Sequence, residues 1–274
     1  MKRIPLVIIL WIAAALTLKA QTPVDQSKTV KPDGRISIED VSGSITVTGW
    51  DRPEVQVKGT LGKNTEPLVF SVSDGTTRIE VHPKQNSGSG GDGVLTIQVP
   101  KQSRVEVDTV SADILAKDLQ GTAKLETVSG SVTASAMGGE VSLESVSGTV
   151  KVDAGSREAH CETVSGTIQA SGQSPTRLSL KSVSGAIHYE GGLARTGEMR
   201  AETVSGSVEL KMAAGVSAEF DTSTFSGNIS SDLDAPLNLK KDGPVGKSAN
   251  FRTGGGDGRV KVETFSGSVR FVKK

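Results

Sequence analysis

A hydrophobic residue followed by Ser-Gly recurs nine times in 274 residues, starting at Val41, Val110, Val128, Val146, Val164, Val183, Val204, Phe225 and Phe265. From Val110 the steps are 18, 18, 18, 19, 21 and 21 residues, followed by a gap of 40 that leaves room for one degenerate unit. Self-similarity at a short period marks a stack of equivalent structural units, because one such unit cannot bury its own apolar face and its neighbours must. The second residue of the motif is serine in all nine units, and the third is glycine in all but one, where Ala112 stands.

Alignment on the start residue turns the repeat into geometry. Four positions on, the residue is always Ile or Val: Ile45, Ile114, Val132, Val150, Ile168, Ile187, Val208, Ile229 and Val269. Three positions before the start stand Ile38, Val107, Leu125, Leu143, Cys161, Leu180, Ala201, Thr222 and Val262, and two earlier still Ile36, Val105, Ala123, Val141, Ala159, Leu178, Met199, Phe220 and Val260. Polar residues separate these last two columns, so the period is two, as in strands with one face inward. Each unit therefore reads as strand, corner at Val-Ser-Gly, second strand, and a looser return such as Ala136, Met137, Gly138 and Gly139. The predicted fold is all-β, a single-domain parallel β-helix or β-solenoid with about 18–21 residues per coil and a less regular N-terminal part. Corner glycines are expected at positive φ. The serine column is expected to bond corner backbone groups, or its own members.

Residues 1–20 carry Lys2 and Arg3, an apolar run and a small residue at Ala20, and read as a secretory signal peptide. Leu18 and Lys19 are unusual before a cleavage site, so retention as an N-terminal anchor stays open. Residues 21–33 read as a flexible leader and 34–274 as the solenoid, with irregular or capping coils over 34–108 and regular coils over 109–274. Strand-like runs at 35–48, 54–58, 68–73, 78–82 and 94–99 are interrupted by turn-rich segments, notably 86–93. No later segment is apolar enough to span a membrane. The single cysteine, Cys161, provides neither a disulfide framework nor a lipid-anchoring cysteine near the signal. The chain has 31 basic and 31 acidic residues, and loss of 1–20 leaves 28 against 31, which gives no basic face for nucleic acid.

The most suggestive surface feature is an acidic column two positions before the corner: Asp108, Glu126, Glu144 and Glu162 in successive coils, interrupted by Lys181 and resumed by Glu202, with Glu39 and Glu263 in outlying units. Lys124, Arg200 and Lys261, two residues earlier on the same face, offset part of its repulsion. A solvated face is the plainer reading, and a strip for cations or a basic partner is the functional one. No catalytic, cofactor or metal residues are expected. The acids form a line, and His82, His160 and His188 fall at unrelated places in the repeat. Cys161 reads as a packing residue and Trp50 as a turn-packing residue, the alternatives being a nucleophile and a sugar platform. Gly246, Lys247 and Ser248 lack the earlier glycine of a phosphate loop, and the strings 90–93 and 254–258 do not recur in tandem as calcium nonapeptides would.

The run Ile38, Glu39, Asp40, Val41, Ser42, Gly43, Ser44, Ile45 leading into Gly49, Trp50 and Asp51, together with the later Glu-Thr-Val-Ser-Gly repeats, resembles the bacterial domain-of-unknown-function family labelled "putative adhesin". The resemblance covers nearly all of the exported chain. It implies a β-helical cell-envelope or secreted protein and offers no catalytic residues to transfer. The expectation is a non-catalytic, adhesin-like binding or structural module of the envelope, periplasmic or released, acting on an unknown macromolecule. A polysaccharide-active β-helix enzyme and an envelope-stress sensor for cationic peptides are the alternatives.

Overall fold

The computed structural model describes residues 21–85, 93–155 and 158–274 and shows an all-β chain of 23 strands wound into a parallel solenoid. The expected signal peptide and most of the glycine-rich stretch 86–93 lie outside the described residues. In the regular part each coil contributes two short strands, such as Ala123–Thr127 and Val132–Ser135, followed two strands later by Val141–Ser145 and Val150–Asp153 in parallel register. Val132, Val150, Ile168 and Ile187 face one another across successive rungs and are fully buried. Leu125, Leu143, Cys161, Leu180 and Ala201 form a second row in the facing strands. Each buried aliphatic side chain stabilises the fold by about 1.5–3 kcal/mol relative to exposure, so the ladder through the interior is the dominant favourable term.

That interior is narrow, which accounts for the scarcity of aromatics. The rung with Ala159, Cys161 and Ala170 is followed by one with Leu178, Leu180 and Tyr189, so small and large side chains alternate along the axis. The Tyr189 hydroxyl uses the space beside Ala170 to donate to the Gly172 carbonyl at 3.1 Å, and it also reaches the Gly192 carbonyl. Phenylalanines gather where the coil is plugged at its C-terminal end: Phe220 stacks on Phe251 at 4.6 Å, and Phe271 meets both edge-on.

Two expectations about the corner are corrected. Of the motif glycines only Gly43 has positive φ. The rest are glycine because coils approach closely: a Cβ on Gly148, Gly166 or Gly185 would lie 1.9, 1.8 or 1.7 Å from the carbonyl oxygen of the glycine one rung before. Ser129, Ser147 and Ser165 are exposed, and it is their backbone N–H groups that bond the preceding rung, at 2.8–2.9 Å. The hydroxyls that cap corner carbonyls belong to the residue before the motif, which alternation turns inward. Thr127 donates to Ala112 at 3.3 Å, Ser145 to Gly130 at 3.2 Å and Thr224 to Gly267 at 3.1 Å.

The ends depart from the sequence order. Arg35–Trp50 pairs in parallel with Arg104–Lys117 on one side and with Thr76–Glu80 and Gly93–Pro100 on the other. Antiparallel strands Val69–Ser73, Glu54–Leu61 and Thr22–Thr29 then close that end. Thr22–Thr29 lies within the expected flexible leader. It lacks an alternating apolar pattern, with only Val24 buried, and is held by backbone pairing to Glu54–Leu61. The strand Arg104–Lys117 runs unbroken through the expected boundary at 108/109. At the C-terminal end Gly258–Ser266 and Val269–Lys273 insert between the coil ending at Met212 and the strands Ala218–Ser226 and Ile229–Ser231. The 40-residue gap holds no degenerate coil. It contains the antiparallel strands Asn238–Asp242 and Gly246–Thr253, which cover Ala218–Ser226.

Candidate binding face along the corner ladder

The candidate site is the outer face of the first strand of each coil, read towards the corner. Since the residue before the motif points inward, the start residue must point outward. Val110, Val128, Val146, Val164, Val183, Val204, Phe265 and Phe225 therefore line up on eight consecutive rungs, each 43–57% exposed. The two phenylalanines stack at 4.9 Å. The sequence reading missed this ridge, although the period of two already required it. On its far flank stand Ser129, Ser147, Ser165, Ser184 and Ser205.

On the near flank runs the acidic line. Asp108, Glu126, Glu144 and Glu162 are register partners in turn, followed by Lys181 and Glu202. The structure brings Glu39 beside Asp108, and Glu263 beside Glu202, so neither is outlying; Glu80, beside Glu39, extends the line. Bases in the same strand answer many of these carboxylates: Lys124 to Glu126 at 2.5 Å, Arg200 to Glu202 at 3.0 Å, Lys261 to Glu263 at 2.9 Å and His160 to Glu162 at 3.5 Å. Exposed pairs of this kind contribute about 0–1 kcal/mol each, enough to offset repulsion along the line. All four bases lie on the side of the line away from the ridge. Glu144 accepts from the Ser142 hydroxyl at 3.4 Å and also meets the Glu126 carboxyl of the neighbouring rung. Burial, then the hydrogen bond and charge of Glu126, push the Asp108 carboxyl up to about 6. Burial acts on Glu126 in the same direction, but hydrogen bonds from Lys124 and Asp108 outweigh it and hold the group below the usual carboxylate value.

A second acid stands in the inward hydroxyl column. Asp40 occupies the place that Thr109 and Thr127 take in later coils, and burial raises it to about 6 against the pull of the Val41 and Ser42 N–H groups. The ridge ends in a hollow of about 500 Å³ bounded by Phe225, Phe265, Glu202, Glu263, Asp242 and Lys247. The Lys247 ammonium is occupied there by the Gly227 carbonyl at 2.9 Å. A larger groove of about 710 Å³ lies on the same sheet between Arg177, Arg200, Arg259, Lys261, Glu198 and Glu219. Arg177, Glu198, Arg259 and Glu219 alternate in sign along one row, Arg200 and Lys261 adjoin in the next, and Arg177 already pairs with Glu158 at 3.0 Å.

The remaining candidates fall apart from one another. His82 is beside Glu80 and His160 beside Glu162, while His188 stands on the other strand of its coil. Among the described residues no three or more His, Cys, Asp or Glu side chains are grouped to hold a metal ion. Cys161 is buried in the core row, where desolvation pushes its thiol up to about 12. Trp50 donates from its indole to the Glu54 carbonyl at 2.8 Å, with the Arg52 guanidinium 4.9 Å above the ring. Gly246, Lys247 and Ser248 lie in a strand. The 254–258 loop is tied down by the Ser217 hydroxyl, which accepts from the Gly255 and Gly256 N–H groups and donates to Asp257. Residues 90–92 of the other glycine string lie outside the described residues. No helix among the described residues is long and apolar enough to cross a membrane.

Comparison with known proteins gives one sequence-level match, to the family model described as Toastrack DUF4097, over residues 34–271. No curated protein matches significantly. Similar solved structures include a "putative adhesin" from Bacteroides fragilis, with 13% identity, 92% of this chain and 98% of that one covered, and a TM-score of 0.49. A "putative lipid binding protein" from Parabacteroides distasonis has 14% identity, coverage of 92% and 97%, and a TM-score of 0.44. A "putative cell adhesion protein" from Clostridium sporogenes has 14% identity, coverage of 92% and 100%, and a TM-score of 0.31.

Proposed function

The chain belongs to the Toastrack DUF4097 family, and on that premise we propose that it is a non-catalytic, adhesin-like binding or structural module of the bacterial cell envelope. Residues 1–20 export it, and one long face of its rod meets a macromolecular partner. The observation that carries this reading is the unbroken parallel register of the outer face. Ten parallel rungs at about 4.8 Å each make a rod on the order of 45 Å long, and on eight consecutive rungs of it an exposed valine or phenylalanine repeats at one lateral position. Rigidity supports binding, since a surface fixed by a dry core loses little conformational entropy when a partner docks.

The test is capture of material from native envelope extract on the immobilised exported chain, beside a screen of the same protein on envelope and plant polysaccharides. Specific capture without turnover is the expected result. Polysaccharide turnover abolished by a single acidic substitution would replace this reading with a glycan-active enzyme.

A further inference from the structure

Resting on the binding-module reading, a more specific inference concerns the ridge. Eight aligned apolar side chains, each about half exposed, form an unusual feature on a chain whose other outward positions are mostly polar, and contiguous apolar patches of this kind mark interaction sites. Three observations narrow the occupant.

The first is backbone pairing. Every strand bearing the ridge is hydrogen-bonded on both sides within the stack, so an added β-strand would find no free N–H or C=O groups along this face. The second is period. Rungs repeat at about 4.8 Å, an α-helix presents its apolar stripe once per turn of about 5.4 Å, and an extended chain presents same-face side chains about 6.8 Å apart. Over the seven rung steps from Val110 to Phe225 the helix drifts by about 4.2 Å, less than one rung, and the extended chain by about 14 Å, nearly three rungs, so the helix matches the ridge better.

The third is charge. The flank towards the first strand carries Asp108, Glu126, Glu144, Glu162, Glu202 and Glu263 against one cation, Lys181, and their basic partners approach from the side away from the ridge. At the ridge end the hollow sets the stacked Phe225 and Phe265 beside three carboxylates, Glu202, Glu263 and Asp242, and one cation, Lys247, which is held by the Gly227 carbonyl; this aromatic face with an excess of carboxylates suits a lysine or arginine. A second copy of this chain fits poorly, because the serine flank offers no cation to the carboxylates of its neighbour.

We propose that the ridge and the carboxylate line together bind a cationic amphipathic α-helix of about 20 residues. It lies along the rod with its apolar stripe on Val110 to Phe225 and a lysine or arginine row over the acids. From Val110 to Phe225 seven rung steps span about 34 Å, the length of about 22 helical residues.

The experiment titrates the exported chain into a fluorescein-labelled synthetic helix of that length, with leucines at three- and four-residue spacing and lysines on one flank. A second peptide carries glutamates in place of the lysines. Saturable binding of the lysine peptide is expected, weakened about tenfold or more in a Val146→Ser/Val164→Ser variant, and again in Glu126→Gln/Glu144→Gln, with thermal midpoints close to the parent's. Phe225→Ser/Phe265→Ser provides an independent test should the valine pair disturb folding. Equal binding of the glutamate peptide, or unchanged binding by both ridge variants, overturns the proposal. So does concentration-dependent dimerisation that the valine substitutions abolish, since the ridge would then be covered by a second copy. If the ridge variants still capture the same material from envelope extract, this inference fails while the binding-module reading stands.

Discussion

At Gly166 an added Cβ would lie 1.8 Å from the Gly148 carbonyl oxygen and 2.7 Å from the Thr163 hydroxyl, and neither can retreat without opening the stack. Gly166→Ala is therefore expected to cost about 3 kcal/mol, read as a fall in the urea midpoint. Asparagine, which tolerates positive φ, should rescue nothing, because the constraint is space and not dihedral angle. This is also where sequence reasoning reached its limit. Recurrence of the corner glycine in eight of nine units was plain, but two physical causes predict the same letter, and only the distance to the neighbouring rung separates them. Asp40 stands where later coils carry threonine or serine, and its burial is a matter of structure that the residue type alone does not disclose. Its folded-state value of about 6 lies above the ordinary value near 4, so the folded protein holds this proton more tightly than the unfolded chain. Asp40 therefore destabilises progressively as pH rises from about 4 to about 6, by up to about 3 kcal/mol, and no further above that. Asp40→Asn, which keeps an acceptor for the Val41 N–H, should raise the denaturation midpoint at pH 7.5 and lose its advantage below pH 4. An equal gain at both pH values would show that the carboxylate is not buried as described.

Strands and their inward columns were legible because alternation is local: the expected runs at 35–48, 54–58 and 94–99 match Arg35–Trp50, Glu54–Leu61 and Gly93–Pro100 in place and type. Stack order was not legible. Nothing in the motif distinguishes Phe225 from Phe265, yet the later coil lies nearer the middle of the rod. The reason is pairing at the open end: Ala218–Ser226 takes the antiparallel Gly246–Thr253 on its outer side, and the chain must then return on the inner side to reach the coil ending at Met212. Residues 258–274 thus bridge two groups of strands that do not otherwise meet. A chain ending at residue 257 should lose more than one coil's worth of structure. The expected outcome is cooperative loss of protection against amide exchange in both Glu198–Ser205 and Ala218–Ser226, while Ala123–Thr127 stays protected. Protection retained at Ala218–Ser226 would contradict the insertion.

Across the whole molecule, a repeat legible in one dimension becomes a rod whose inside and outside are both ladders. The inside stabilises it; the outside repeats one side-chain type at each lateral position, which is why a ridge of valines and a line of carboxylates arise from the same nine motifs. Both depend on consecutive coils lying in register at one rung spacing. The most direct measurement is electron–electron dipolar spectroscopy on pairs of spin labels at motif start positions, in a Cys161→Ala background that Ala201, two rungs on in the same row, shows to be tolerable in size. With one label at Val41 and the other at Val183, Val204, Phe265 or Phe225, the account predicts distances rising evenly at about 4.8 Å per rung, from about 24 to about 38 Å, with position 265 nearer to 41 than position 225 is. Distances that scatter, or that follow sequence order so that 225 is nearer than 265, would contradict it.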